Sequence, residues 1–285
     1  MAETVNGIVA GYDGSPGGAE ALSWASREAR ARRVPLVVCH SWAPAYPLSA
    51  TAADVFGLVR RSGAEVLAQG VRHAQALTGS SADVRQVLDG APAAVALCEH
   101  GATADMVVVG SRGHGRLGGL LLGSVSSQVA AHAPGRVVVV RGHWRPAAGY
   151  VPGAVVAGAD GSAASQAALM FAFEEAALRE ARLLAVCALA DTPGSFGGGH
   201  RMQEDFEQQI ARCEKDHPEV AVLRQVKSGP PRAALLEAAA EGQMLVLGSR
   251  GRGGVKGMML GSVSQAMLHH APCPVGIVHP PARDH

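Results

Sequence analysis

The sequence predicts an α/β fold, with two open parallel-sheet domains in tandem. Three observations predict it. The chain repeats itself, each copy alternates strand-like and helix-like stretches, and each copy carries the same spaced glycine frame after its fourth strand.

The repeat is read directly. Ile8-Val9-Ala10-Gly11-Tyr12-Asp13-Gly14-Ser15 returns as Val155-Val156-Ala157-Gly158-Ala159-Asp160-Gly161-Ser162. Val107-Val108-Val109-Gly110-Ser111-Arg112-Gly113 returns as Leu245-Val246-Leu247-Gly248-Ser249-Arg250-Gly251, and Leu122-Gly123-Ser124-Val125-Ser126 as Leu260-Gly261-Ser262-Val263-Ser264. The first block recurs 147 residues on (Ile8 to Val155), the later two 138 on (Val107 to Leu245). The second copy is therefore shorter between its landmarks, and Thr192 to Pro218 is where the deletion is expected.

The elements follow in order. In copy one, Gly7 to Ala10 reads as a strand, Gly17 to Arg33 as a helix and Leu36 to His40 as a strand. Ala52 to Leu77 is a long helix, Val84 to Leu88 a strand and Ala91 to Gly101 a helix. Met106 to Gly110 is a strand, Gly123 to Ala133 a helix and Arg136 to Arg141 a strand. Copy two repeats the strands at Ala154 to Ala157, Leu183 to Cys187, Val220 to Val226, Met244 to Gly248 and Val275 to His279. These β-branched runs lack clean alternation, which suits strands covered on both faces of a parallel sheet with right-handed crossovers. His143 to Gly153, with Pro146, Gly149, Pro152 and Gly153, reads as a linker, giving domains over 1–145 and 151–285.

Composition bounds the function. The chain has 285 residues, 48% hydrophobic and 17% charged, enough for two cores. A net charge of +1 and 4% aromatic content point away from nucleic-acid binding. No run of about 18 apolar residues predicts a membrane span. The start, Met-Ala-Glu-Thr-Val-Asn-Gly, does not read as a secretory signal. Cys39, Cys98, Cys187, Cys213 and Cys273 show no CxxC pair and no zinc spacing, which suits free thiols in a reducing cytoplasm.

The chemistry lies in the loops. Gly110-x2-Gly113-x9-Gly123-Ser124 in copy one matches Gly248-x2-Gly251-x9-Gly261-Ser262 in copy two. A loop at the carboxyl end of a parallel strand faces the ligand crevice of an open α/β sheet. Glycines let backbone N–H groups approach phosphate oxygens, and a helix N-terminus favours an anion. Ser124 and Ser262 are expected to cap the helices that follow. Basic residues stud both loops: Arg112, His114 and Arg116, then Arg250, Arg252 and Lys256. Gly113-His-Gly115-Arg-Leu-Gly118 imitates a dinucleotide fingerprint. It follows the fourth strand rather than the first, and Lys256 breaks it in copy two. There is no P-loop signature. Asp13-Gly14-Ser15 also reads as a turn with Ser15 capping the next helix. His132 and His270, each before Ala-Pro, read as closing helix C-termini. Leu121-Leu122 and Met258-Met259 read as apolar anchors of the loops.

With these motifs the sequence resembles the universal stress protein family, over nearly the whole chain and in two tandem copies. The glycine frame is that family's mark of its ATP-binding branch. The resemblance implies a Rossmann-like, adenine nucleotide alpha hydrolase-like fold with ATP across the carboxyl ends of the strands. By position it assigns Asp13 and Asp160 to the ribose and phosphates, with Mg2+ on these acids, directly or through water. It assigns Gly110, Gly113, Gly123, Ser124 and Val125 to the phosphates, as well as Gly248, Gly251, Gly261, Ser262 and Val263. Arg112 and Arg250 lie in the same frame. Ser41 and Leu189 stand at the adenine side, where Val or Ile is more usual. Gly90-Ala91-Pro92 and Gly229-Pro230-Pro231 match a Gly-x-Pro turn, and Ala10 and Gly11 stand where other members carry bulkier residues.

Three readings follow: an ATP-binding regulatory protein of the stress response, a slow ATPase, or an interaction scaffold that holds no nucleotide. No second acid or Gln stands at fixed spacing from the loop as a base, so hydrolysis is at most slow. The fifth strands, Val137 to Val140 and Val275 to Val278, are apolar edges. A second chain, in a homodimer, or the other domain would cover them. Because the two frames match while their basic and adenine-side residues differ, a calorimetric ATP titration is expected to resolve two unequal dissociation constants. Equal constants would contradict the asymmetry.

Overall fold

The computed structural model describes residues 6–43, 53–79, 82–113, 122–141, 153–189, 198–253 and 259–280. The chain divides into two compact units, Met1–Gly142 and His143–His285. The linker expected over His143 to Gly153 lies outside the described residues up to position 152.

In the first unit, strand β1 (Ile8–Gly11) leads through a tight turn into helix α1 (Pro16–Arg32). Pro16 takes the first helical position, where a missing N–H costs nothing. Ser15 is the cap, and its Oγ accepts from Gly18 N at 3.0 Å. Then come β2 (Leu36–Ser41), α2 (Ala53–Thr78), β3 (Val84–Asp89), α3 (Ala93–Gly101), β4 (Met106–Gly110), α4 (Ser124–His132) and β5 (Arg136–Val140). The strands run parallel in the order β3-β2-β1-β4-β5. Ile8 stands opposite Leu36 on one side and Met106 on the other. Ile8, Val9 and Ala10 are all 0% exposed, which a strand with one wet face does not allow. The strand order reverses at β1, so a crevice opens at the carboxyl ends of β1 and β4.

The second unit repeats the plan. Its elements are β6 (Val155–Gly158), α5 (Ala163–Leu178), β7 (Leu183–Leu189), α6 (Gly198–Asp216), β8 (Val222–Ser228), α7 (Pro231–Ala239), β9 (Met244–Gly248), α8 (Ser262–His270) and β10 (Val275–Val278). The parallel order is β8-β7-β6-β9-β10, with the switch between β6 and β9. The length difference between the copies falls largely in one helix: α2 has 26 residues and α6 has 19.

Two elements begin two residues later than the sequence pattern predicts. Strand β8 starts at Val222 rather than Val220. Val220 is buried and donates its N–H to His217 O at 3.2 Å, closing a turn. The strand begins where Val222 pairs with Leu183. Helix α3 starts at Ala93 rather than Ala91, because Ala91 N–H donates to Asp89 Oδ1 at 2.8 Å and Pro92 becomes the cap.

All five cysteines are free, and all but Cys98 are buried. Burial, with help from the Asp89 charge, pushes the Cys39 thiol up to about 12. Burial does the same to Cys187, up to about 11, with Asp160 also raising it. Thiols held so far above neutral pH are packing groups rather than nucleophiles.

Copy two fills its core with rings. Phe171 and Phe173 on α5 are both 0% exposed. Gly276 on β10 makes room for Phe171, whose Cε1 would lie 3.3 Å from a Cβ there. Phe171→Ala is therefore expected to destabilise the second unit by about 3–5 kcal/mol, the usual cost of emptying a buried ring site. Urea unfolding followed by a probe in each unit checks this. An unchanged second transition would show that the ring is not part of the core.

Candidate functional site

Each crevice is assembled from the turn after the first strand of its unit and the loop after the fourth. In the first unit, Gly14 has φ 82°, which glycine adopts without cost. The turn it makes aims Asp13 back at the helix start. Asp13 Oδ1 accepts from Ser15 N at 3.0 Å and from Ser15 Oγ at 2.5 Å. The other oxygen faces the glycine loop. A Cβ on Gly113 would sit 2.4 Å from Asp13 Oδ2, closer than any real contact. The turn reading and the site reading of Asp13 therefore hold together: one oxygen organises the helix cap, and the other meets the loop.

The loop also meets the start of α1 backbone to backbone. A Cβ on Gly110 would lie 2.4 Å from Gly17 O, and one on Gly17 would lie 2.2 Å from Arg112 O. The loop is closed at its neck. Ser111 N donates to Val140 O at 2.7 Å, and Gly123 N donates to Ser111 O at 2.8 Å. Ser126 Oγ then donates to Gly110 O at 2.6 Å. The second unit repeats the neck: Ser249 N to Val278 O at 2.8 Å, Gly261 N to Ser249 O at 2.8 Å and Ser264 Oγ to Gly248 O at 2.8 Å. Ser111, Ser126, Ser249 and Ser264 were not singled out from sequence, although all four sit inside the repeated blocks.

One expectation is corrected. Ser124 and Ser262 do not cap α4 and α8; they are the first helical residues. The caps are Gly123 (φ −75°, ψ 160°) and Gly261 (φ −71°, ψ 153°), and neither helix has a side-chain cap bond. Helix geometry leaves the amides of Ser124 and Val125, and of Ser262 and Val263, without an acceptor inside the helix. Ser124, Arg112 and Gly113 are exposed, as are Ser262, Arg250 and Gly251. Each frame thus presents free-standing amides, a hydroxyl and a guanidinium on one rim, which is a setting for an oxyanion.

The adenine-side positions differ between units. Ser41 does not present a spare hydroxyl, because Ser41 Oγ donates to Ala91 O at 2.5 Å. Its polarity is spent inside the fold. A cavity of about 410 Å3 opens beside it, lined by His40, Trp42, Leu58, Val59, Gly63 and their neighbours. In the second unit Leu189 is half-buried, and its carbonyl accepts from Gly229 N at 2.9 Å. Ala10 is fully buried, and a Cβ on Gly11 would meet Leu97 Cδ1 at 3.0 Å, so Gly11 serves packing against α3 while Ala10 packs on the opposite face of the sheet.

The second crevice is tied differently. Asp160 Oδ1 accepts from Ser162 N at 3.0 Å, and Oδ2 accepts from Arg252 N at 2.7 Å. The Arg252 guanidinium pairs with Asp205 on α6 and reaches Gly161 O at 3.5 Å. A Cβ on Gly251 would sit 2.3 Å from Asp160 Oδ2, so the contact between carboxylate and glycine is shared by both units.

His132 Nδ1 donates to Gln128 O at 2.9 Å, in keeping with a helix-closing role. Among the described residues no group of three or more His, Cys, Asp or Glu is placed to hold a metal ion. His114, Arg116, Leu121, Lys256 and Met258 lie outside the described residues.

Comparison with known proteins adds the relatives. The model of the universal stress protein family matches residues 5–141 and again 153–279. A universal stress protein of Mycolicibacterium smegmatis is 34% identical over 290 residues, covering 97% of this chain and 98% of that protein. One from Mycobacterium tuberculosis is also 34% identical over 290 residues, covering 95% and 96%. The crystal structure of a universal stress protein from Archaeoglobus fulgidus matches with a TM-score of 0.73 at 19% identity, over 96% of this chain and 98% of that one, a likeness of fold.

The glycine contacts can be tested on stability alone. Gly110→Ala forces a Cβ onto backbone atoms and is expected to cost about 1–3 kcal/mol. Gly123→Ala meets nothing closer than 3.4 Å and is expected to cost only a poorer cap, about 1 kcal/mol or less. Thermal unfolding of both variants checks the order, and equal losses would contradict the packing described.

Proposed function

The chain belongs to the universal stress protein family, and from that premise we propose that each unit binds an adenine nucleotide, ATP, and acts as a regulatory protein of the stress response. The observation that carries this reading is a glycine-capped helix start at the end of a glycine loop that lies against a carboxylate, made twice. A side-chain cap would spend the amide that a phosphate oxygen needs, and both helices do without one. The amides of Ser124, Val125, Ser262 and Val263 and the hydroxyls of Ser124 and Ser262 would hold the phosphates, with Arg112 and Arg250 offsetting charge. Gly110, Gly113 and Gly123, and Gly248, Gly251 and Gly261, keep the backbone low enough for that approach. Ser41 and Leu189 would border the adenine, and the cavity beside Ser41 supports an apolar seat in the first unit.

Asp13 and Asp160 would serve the ribose and a Mg2+ ion. One carboxylate suits Mg2+ only as part of a shell completed by phosphate oxygens and water, so the ion would arrive with the nucleotide. Such an ion neutralises phosphate charge. Turnover is expected to be below roughly 1 per second, the low end of ordinary enzyme rates, since no second acid or Gln stands at fixed spacing from the loop as a base. Five free cysteines support a reducing cytoplasm.

Mass spectrometry of the small molecules released from the denatured pure protein, with an ATP titration, tests the reading. Adenine nucleotide in the extract and measurable ATP binding are expected. Neither one present would leave an interaction scaffold in its place. A sharper test is Gly123→Ser, which adds a capping hydroxyl where a Cβ would make only ordinary contacts, from 3.4 Å outward. It is expected to raise stability by a few tenths of a kcal/mol. It should weaken ATP at the first site about tenfold, the size of one charge-assisted hydrogen bond. Tighter binding, or no change, would count against phosphate capture by this helix end.

A further inference from the structure

We propose that Asp205 and Arg252 form a latch across the second crevice, which a polyphosphate must open. The proposal rests on the reading of that crevice as a phosphate site. Arg252 belongs to the glycine loop, two positions after Arg250. Its backbone is pinned, with its N–H on Asp160 Oδ2 at 2.7 Å. Only its side chain is left to move. That side chain crosses the turn after β6: a Cβ on Gly161 would lie 2.5 Å from Arg252 Nη2. It ends on the Asp205 carboxylate of α6. The guanidinium that is placed to meet a phosphate is therefore already paired with a carboxylate. A phosphate oxygen can replace a carboxylate oxygen on the same fork, because both offer the same acceptor geometry.

The pair is also reachable. The side chains of Arg252 and Asp205 keep 37% and 34% of their exposure, so an incoming anion competes with a partly solvated ion pair rather than a buried one. The first unit lacks the acid. Matching the buried faces of the two helices sets Leu67 (3% exposed) against Phe206 (0%), and Ala74 (0%) against Cys213 (3%). Val66 then stands where Asp205 stands. Among the described residues the latch belongs to the second unit, and Asp205 is a positioning residue that sets that unit's affinity for phosphate charge.

The test is a double-mutant cycle read by calorimetry on the full chain, with ATP, adenosine and inorganic tripolyphosphate as probes. Gly113→Val marks the first site, so that the second can be assigned. Asp205→Asn is expected to tighten ATP and tripolyphosphate at the second site about three- to fivefold, the range an exposed ion pair supports, and to leave adenosine unchanged. Asp205→Glu should stay near the parent. In an Arg252→Ala background the gain from Asp205→Asn should vanish. A gain that persists there would assign the effect to repulsion by Asp205 alone and overturn the latch. So would no gain in the parent chain. Tripolyphosphate binding that responds to Asp205→Asn while ATP does not bind would keep the latch and remove the adenine reading. No binding of either would remove both.

Discussion

A backbone that lies against a carboxylate has room for glycine and nothing larger, and both units are organised around such an approach. Asp13 Oδ2 would be 2.4 Å from a Cβ on Gly113, and Asp160 Oδ2 would be 2.3 Å from one on Gly251. The aspartate comes from the end of one strand and the glycine from the loop after another, on the two sides of the point where strand order reverses. Closing that distance requires the neck bonds through Ser111 and Ser249. It also requires the start of each unit's first helix to meet the loop, where Gly110 lies on Gly17 and Gly248 on Ala164. The sheet's order places the two segments side by side, and the missing side chains let them touch.

The same requirement explains why stability is given up at the helix caps. Ser15 and Ser162 cap α1 and α5 through their side chains, at 3.0 Å and 3.2 Å. Both serines face packed turns, where an unsatisfied amide would be a plain cost. At α4 and α8, facing the crevice, the cap is glycine and the serine moves one position on. The crevice-facing helix start is uncapped by side chains in both copies while the first helix is capped in both, which separates leaving donors open from holding the fold. Helices α3 and α7, entered through Pro92 and Pro230, also lack a side-chain cap bond.

Much of this was legible in the sequence, and the part that was not has a common cause. Strand runs, helix patterns and the glycine frame are local or repeat at fixed spacing, so they survive reading along the chain. Asp13, Gly113 and their second-copy partners were found because the repeat marks them. The capping residue was misassigned by one position, because Gly-Ser offers two candidates and only backbone angles separate them. The buried ion pair of Glu28 with Arg32, 2.6 Å apart, and its counterpart Glu175 with Arg179 sit at helical spacing in both copies, yet nothing in their spacing tells a buried pair from a solvated one. Ser41 stands at an adenine-side position where Val or Ile is more usual, and its hydroxyl is spent on Ala91 O, a contact between residues 50 positions apart. The Arg252–Asp205 pair joins residues 47 positions apart in elements of unequal length, and no periodicity encodes it.

Different crevices on equal frames follow from what the second helix of each unit places over the turn. The neck and the glycines are fixed by contacts within the sheet and its nearest helix, and these are the same in both units. The helices that pass over the crevice from the other side, α2 and α6, differ by several residues. Equivalent faces of the two helices look down on the turn, and the residues on them differ. In the first unit that face brings Gly70 onto the Tyr12 ring, where a Cβ would sit 2.5 Å from Tyr12 Cδ1. In the second, Ala159 replaces the tyrosine, and α6 instead supplies Gln209, whose Nε2 donates to Ser162 O at 3.0 Å, and Asp205 to Arg252. An apolar lid contact in one copy is thus exchanged for a polar one in the other. A polar contact held by charge responds to charge, so the difference proposed between the units is one of responsiveness as well as of affinity. Duplication kept the anion-facing frame, and divergence acted on what covers it.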